Sequence, residues 1–266
     1  MLLLKSILLG IIQGLTEFLP VSSSGHLVLA GHFFNFEMPG LTYEVAVHLG
    51  SLIAVLIFFR EHIFRLIKAV FLFKDESLKS ERLQVVYLIV STFITAVIGI
   101  SFKDYFEALF DKTIYVPVFL MFTGIILFFT DSIKEQKIKS ENMGFLRAVL
   151  IGIGQALAIL PGVSRSGTTI ASGLYLGVKR EDMASFSFLL SIPAILGAAV
   201  LQLKDIQDIG NDLFFIYFAG FVASFVSGYL VISWLIKLIA NRKIRFFSYY
   251  CWLIATVSFI FLKAGF

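Results

Sequence analysis

The sequence predicts an all-α polytopic membrane protein: six transmembrane helices plus two re-entrant helical hairpins, arranged as an inverted-topology internal repeat. Three observations predict it. The 266 residues are 58% hydrophobic and only 15% charged, with a mean hydropathy of +0.91. A soluble chain of this length needs far more polar residues to cover its surface. Apolar runs recur from end to end, several of them near the 17–25 residues that cross a bilayer. Finally, residues 10–31 fall on residues 152–173 without a gap, and nine of the 22 pairs are identical. They include Gln13/Gln155, Ser22/Ser164, Ser24/Ser166, Gly25/Gly167, Gly10/Gly152 and Gly31/Gly173. Apolar composition supplies chance Ile, Leu and Val matches, but not Ser-x-Ser-Gly in register with a Gln and two further glycines.

In chain order, residues 1–12 are apolar but are expected to break at Gly14 and Pro20, too early to span. Segments 43–59, 85–101, 113–131, 183–203, 213–235 and 247–264 are long and apolar enough to cross, and 60–84 reads as a charged connection. The stretches around 1–40 and 145–177 are interrupted by Pro, Gly and Ser and read as hairpins that enter the membrane and turn back. Loops 60–84, 132–147, 178–182 and 236–246 hold 6, 4, 2 and 4 Lys/Arg, whereas 1–42, 102–112, 204–212 and the C-terminal end hold 1, 2, 1 and 1. The excess of basic residues on cytoplasmic loops puts the first group inside and both termini outside. The whole chain, 1–266, is then one integral membrane domain, with repeat 1 at about 1–131 and repeat 2 at about 145–266. A hairpin followed by three crossings turns the second repeat upside down, and such repeats place a site near the bilayer midplane. Non-helical backbone at that depth survives only where protein or a wet cavity surrounds it, so the two Ser/Gly stretches are expected to meet.

Other classes recede on the same grounds. The net charge of +4 sits in short loops, which argues against nucleic acid as a partner. The lone Cys251 forms no intrachain disulfide. With only Lys5 near the start and no small-residue cleavage site, the first apolar run does not read as a signal peptide.

The chemistry-bearing residues lie in the two breaks. Glu17 is an ionisable group at depth, costly and therefore a functional candidate. Gln13, four residues earlier, shares its helical face, and together they offer oxygen ligands to a hard divalent cation, Mg²⁺ or Ca²⁺. Ser22-Ser23-Ser24-Gly25-His26 exceeds what an N-cap requires. Its imidazole serves either as nucleophile or as acid/base for a seryl nucleophile. Ser164-Arg165-Ser166-Gly167-Thr168-Thr169 begins a new apolar helix, where free N–H groups, the helix dipole and a guanidinium make a phosphate cradle. The competing reading of Arg165 is a structural pair with Glu17, and both can hold in the empty site. Glu44 and His48 are expected to line the cavity behind these groups, whereas His32 and His62 read as inert. The phenylalanines are scattered and read as lipid-facing.

Gln13-Gly-Leu-Thr-Glu17-Phe-Leu-Pro-Val-Ser-Ser-Ser-Gly-His26 and Pro161-Gly-Val-Ser-Arg165-Ser-Gly-Thr-Thr169 resemble the motifs of bacterial undecaprenyl-pyrophosphate phosphatases. Tyr43-Glu-Val-Ala-Val-His-Leu-Gly-Ser51 and Phe186-Ser-Phe-Leu-Leu-Ser-Ile-Pro193 support the resemblance, which runs the whole length. It implies a phosphatase of the bacterial cell membrane that removes one phosphate from a polyprenyl pyrophosphate lipid. Bacitracin resistance follows, because the antibiotic sequesters that pyrophosphate. The family's acidic motif is Glu/Gln-x-x-x-Glu, of which Gln13 gives the less acidic form. On this resemblance Arg165, Ser164, Ser166, Gly167 and Thr169 hold the pyrophosphate and Glu17 with Gln13 binds the metal. Either Ser23 or His26 attacks, with Ser22 behind them. The implied partners are the lipid substrate and the bilayer, with a homodimer left open. The outward first hairpin favours an extracytoplasmic opening. The alternative is a secondary transporter or polyprenyl-phosphate flippase using the same midplane anion site, which has no need of a nucleophile.

Overall fold

The computed structural model describes residues 1–34, 42–110, 112–133, 137–202, 211–241 and 243–264. Most of loop 204–212 and the end of segment 1–42 lie outside the described residues. The chain is all-helical: among the described residues the sole β contact is one bridge between Ile138 and Val178. The first half runs α1 (Leu2–Phe18), α2 (Ser23–Phe33), α3 (Thr42–Phe58), α4 (Arg60–Phe71), α5 (Lys79–Ser101), α6 (Lys103–Phe110) and α7 (Tyr115–Phe128). The second runs α8 (Phe145–Leu157), α9 (Arg165–Tyr175), α10 (Arg180–Gln202), α11 (Asn211–Ala240) and α12 (Arg245–Lys263).

Five helices (α5, α7, α10, α11 and α12) are long and apolar enough to cross a membrane, and a sixth span arises if α3 is counted with α4. The protein is thus a multi-pass membrane protein with five or six candidate spans. The two stretches expected to be broken are helix–break–helix units, α1–α2 and α8–α9. The helices after the breaks are equivalent to the residue: α2 and α9 are each 11 residues long, and Ser23 and Arg165 are paired positions of the repeat.

Two details of the sequence reading are corrected. Helix α1 does not break at Gly14 but continues to Phe18. The glycine is there because α11 lies against it: a Cβ would collide with the Ser224 carbonyl and the Ser227 hydroxyl. Segment 60–84 is largely helical. Phe64, Ile67 and Phe71 recur at helical spacing on an exposed face, Leu66 and Ala69 are buried on the other, and α4 turns 78° from α3.

Each hairpin's first helix packs on the long span of the other half, α1 on α11 and α8 on α5. Lipid tails are as apolar as leucine, so small residues and interhelical hydrogen bonds hold such contacts. Ser6 Oγ donates to Ile216 O at 2.6 Å across the first, and Ser91 Oγ to Ala148 O at 2.8 Å across the second. α7 and α12 pair along their length, and α3 meets α10 and α11. Phe18, Phe186 and Phe188 are fully buried where these helices converge, with Phe18 edge-on to Phe188 at 5.6 Å. Phe93, Phe215 and Leu230 lie exposed on the outer faces of the spans, as lipid-facing residues would.

Candidate active site

The breaks at the ends of α1 and α8 are set by local chemistry. After Phe18 the backbone becomes extended at Leu19 and Pro20 follows, which disfavours helix at the residue before it. Helix resumes under a serine cap: Ser22 Oγ accepts from Gly25 N at 3.3 Å, and Ser164 Oγ accepts from Gly167 N at 3.0 Å. Both caps lean on the second serine of their motif, Ser22–Ser24 at 3.4 Å and Ser164–Ser166 at 3.3 Å. Each motif thus spends one serine on capping the helix that follows it. The caps differ in one respect. Ser22 has φ 69°, the one non-glycine residue with positive φ among the described residues, while Ser164 is extended at −80°. Such backbone costs of order 1–3 kcal/mol and collects at functional sites.

The two breaks touch. Ser166 Oγ donates to Leu19 O at 3.0 Å. Gly162 (φ +104°) packs against Gly25, where a Cβ on Gly25 would lie 3.0 Å from Gly162 Cα. A Cβ on Gly162 would itself come within 2.5 Å of Val116 O. Thr123 of α7 locks the second break, donating to Gly162 O at 2.9 Å and accepting from Ser164 N at 3.1 Å.

Glu17 is the hub. It is buried, 6% exposed, at the end of α1. Its Oε1 accepts from Arg165 Nη2 at 3.1 Å; its Oε2 accepts from Ser23 Oγ at 2.7 Å and from Gln13 Nε2 at 2.9 Å. His48 Nε2 stands 3.8 Å from Oε2. Arg165 is further fixed by Nη1 donating to Ser187 O at 2.9 Å, and Thr169 Oγ1 meets Ser187 Oγ at 2.6 Å. Two buried polar atoms beside this cluster have no hydrogen-bond partner, Arg165 Nε and Gln13 Oε1. One is a charged donor and the other an acceptor. Buried groups are rarely left so, and this pair suits a ligand carrying both anionic oxygens and a cation.

The structure thus brings Glu17, Gln13, Ser23, Arg165, Ser164, Ser166, Gly167, Thr169 and Ser22 to one place. His48 stands closer to Glu17 than the sequence reading put it. Glu44 is exposed; its backbone carbonyl accepts from His48 Nδ1 at 2.7 Å, which orients that ring. His26 lies one turn along α2 from Ser23 and engages neither Glu17 nor Arg165: its ring binds Ser22 O and Tyr250 Oη, each at 2.8 Å. His62 binds Gln84 at 2.8 Å, away from the site. Ser187, Thr123 and Tyr250 were not foreseen. Ser187 sits in the Phe186–Pro193 motif, but a carbonyl acceptor leaves no mark on a sequence, and Tyr250 carries no local motif. A separate polar crevice of about 640 Å³ opens at the α3–α4 elbow between Arg60, His62, Arg65 and Glu81 and includes no residue of either break.

Fold and site define a multi-pass membrane protein with a buried polar cluster where two helix–break–helix units meet, presenting a carboxylate, a guanidinium and several hydroxyls. The chain belongs to the family described as bacitracin resistance protein BacA, whose model matches residues 6–257. It is 44% identical to the undecaprenyl-diphosphatase of Methanobrevibacter smithii, over 97% of each chain. It is 41% identical to that of Carboxydothermus hydrogenoformans over 98% of each. It is 36% identical to undecaprenyl-diphosphatase 1 of Shouchella clausii, over 99% of this chain and 98% of that one.

Proposed function

We propose that this protein hydrolyses undecaprenyl pyrophosphate to undecaprenyl phosphate and inorganic phosphate. It thereby recycles a lipid carrier for cell-wall synthesis and confers bacitracin resistance. The observation that carries the reading is the Ser23–Glu17–Arg165 chain of contacts, which puts a hydroxyl, a base and a phosphate-binding cation at one buried point. Family membership and the activity named for the relatives support the substrate.

The halves, 1–131 and 145–266, are read as inverted repeats, supported by the matched caps and by the exchange of α1 and α8 between the long spans. The pocket is then near the midplane. His48 is six residues into α3, about 9 Å from its outer end, and Ser187 is seven residues into α10, about 10 Å from its inner end, at 1.5 Å per residue. An isoprenoid tail stays in lipid while its headgroup enters between the hairpins. On this topology α1 descends from the extracytoplasmic side, the side on which the pocket is placed, in the cell membrane.

Glu17 neutralises Arg165. Arriving pyrophosphate takes up the guanidinium, through Nε and the edge now held by Glu17, and the positive end of the α9 dipole favours the rest of its negative charge. Ser23 Oγ then attacks the terminal phosphorus, and its proton passes to Glu17 Oε2, which already accepts it as a hydrogen bond. The bond from that phosphorus to the bridging oxygen breaks, and the lipid monophosphate leaves carrying the proton that Glu17 took. Water then gives a proton to the freed Glu17 carboxylate as it attacks the phosphoserine, and that proton passes to Ser23 Oγ as phosphate is released. Arg165 stabilises the charge on the transferring group in both steps.

The residues present fit a hard divalent cation, Mg²⁺ or Ca²⁺. Gln13 Oε1 is a buried, unpartnered oxygen beside a carboxylate. Among the described residues no cluster of three or more His, Cys, Asp or Glu offers a complete cage, so Gln13, Glu17 and the substrate's own oxygens would hold it, as is common for Mg²⁺. Such an ion supplies charge neutralisation to the pyrophosphate.

The test is phosphate release from undecaprenyl pyrophosphate by purified protein in detergent, where no second compartment exists. Turnover supports hydrolysis. Lipid binding with no phosphate released would leave the transporter or flippase reading in its place.

A further inference from the structure

His26 is the one strong candidate nucleophile of the sequence that the Ser23–Glu17–Arg165 cluster does not employ, and its hydrogen bonds fix its state. Nδ1 lies 2.8 Å from the Ser22 carbonyl oxygen. A carbonyl only accepts, so Nδ1 carries a proton. No carboxylate pairs with the ring among the described residues, so the neutral form is the consistent one, and its lone pair sits on Nε2. That nitrogen is 2.8 Å from Tyr250 Oη, and the phenol therefore donates to it. The two rings are nearly parallel, 6° apart with centroids at 5.6 Å, so the tyrosine restricts the imidazole's tilt as well as its protonation. Tyr250 lies five residues into α12, which pairs with α7, and α7 also holds the second break through Thr123.

We propose that Tyr250 is a positioning residue for the phosphatase site. It clamps His26 as the Nδ1–H tautomer, with its basic nitrogen turned to α12 rather than toward Glu17 and Arg165. This leaves Ser23 as the group facing the carboxylate. It holds the imidazole in a single state one turn along α2 from Ser23, ready to exchange a proton through Nε2 and the phenol. The inference rests on the hydrolase reading for its catalytic consequence, but not for its structural content.

The experiment records ¹⁵N spectra of histidine-labelled protein in detergent, without substrate, alongside steady-state kinetics for wild type and Tyr250→Phe. The signal of His26 is assigned by its loss in His26→Gln. In the wild type, His26 is expected to show a protonated Nδ1 and a hydrogen-bonded, unprotonated Nε2. Tyr250→Phe keeps the ring and removes the donor, so the Nε2 signal is expected to move toward that of a free imine nitrogen. In the same variant kcat is expected to fall about tenfold, the worth of one well-placed hydrogen bond, with KM unchanged within about twofold and an unaltered melting temperature. A protonated Nε2 in the wild type overturns the proposal, even if Tyr250→Phe fails to accumulate. So does a His26 signal indifferent to the substitution, or a moved signal with wild-type kcat. Because the spectrum needs no turnover, failure of the clamp and failure of the hydrolase reading are read separately.

Discussion

Arg165→Ala is expected to abolish phosphate release, with a loss of at least about 10³-fold in kcat/KM, the scale of removing an arginine that stabilises a transferring phosphoryl group. That is about 4 kcal/mol of transition-state stabilisation. The guanidinium comes from α9 and is held in place by Ser187 O. The variant also leaves Glu17 buried without its partner, and breaking such a pair typically costs about 3–5 kcal/mol of stability. Two companions separate the effects. Glu17→Gln/Arg165→Ala removes both charges and is expected to recover thermal stability in detergent without recovering activity. Arg165→Lys keeps the charge but not the forked donor and is expected to remain severely impaired. Near wild-type turnover by Arg165→Ala would remove the phosphate cradle from the account.

The second large effect is at Glu17. Glu17→Gln preserves size and one acceptor but cannot take the Ser23 proton, and it places an amide where Arg165 Nη2 needs an anion. A loss of about 10²–10⁴-fold is expected, the range for a positioned acid or base. Stimulation of the remaining activity by Mg²⁺ or Ca²⁺ is expected to disappear with it. Titrating divalent cation against residual turnover checks this. An unchanged metal dependence would contradict the ligand role of Glu17, though not its role as base.

The architecture was legible wherever it rests on local chemistry. Ser-x-Ser-Gly is a cap signal, and the caps at Ser22 and Ser164 fall where the repeat put them. The pairing of Glu17 with Arg165 was visible as a competing reading because two opposite charges at depth have few other partners. Gly14 misled, since a glycine that admits a neighbouring helix and a glycine that ends one look alike until the neighbour is known. The charges of 60–84 masked the apolar stripe of α4. Tyr250 was illegible for a plainer reason: its contact with His26 joins residues 224 positions apart, and nothing near either residue announces it.

The mechanism turns on which side chain meets the phosphorus. In the structure Ser23 faces Glu17, and His26 Nε2 faces Tyr250 Oη. The direct measurement is to quench purified protein during turnover of undecaprenyl pyrophosphate, locate the phosphoryl group by mass spectrometry, and assay Ser23→Ala in parallel. The account predicts phosphoserine at Ser23 and no turnover in the variant. Phosphohistidine at His26, or sustained turnover by Ser23→Ala, would contradict it.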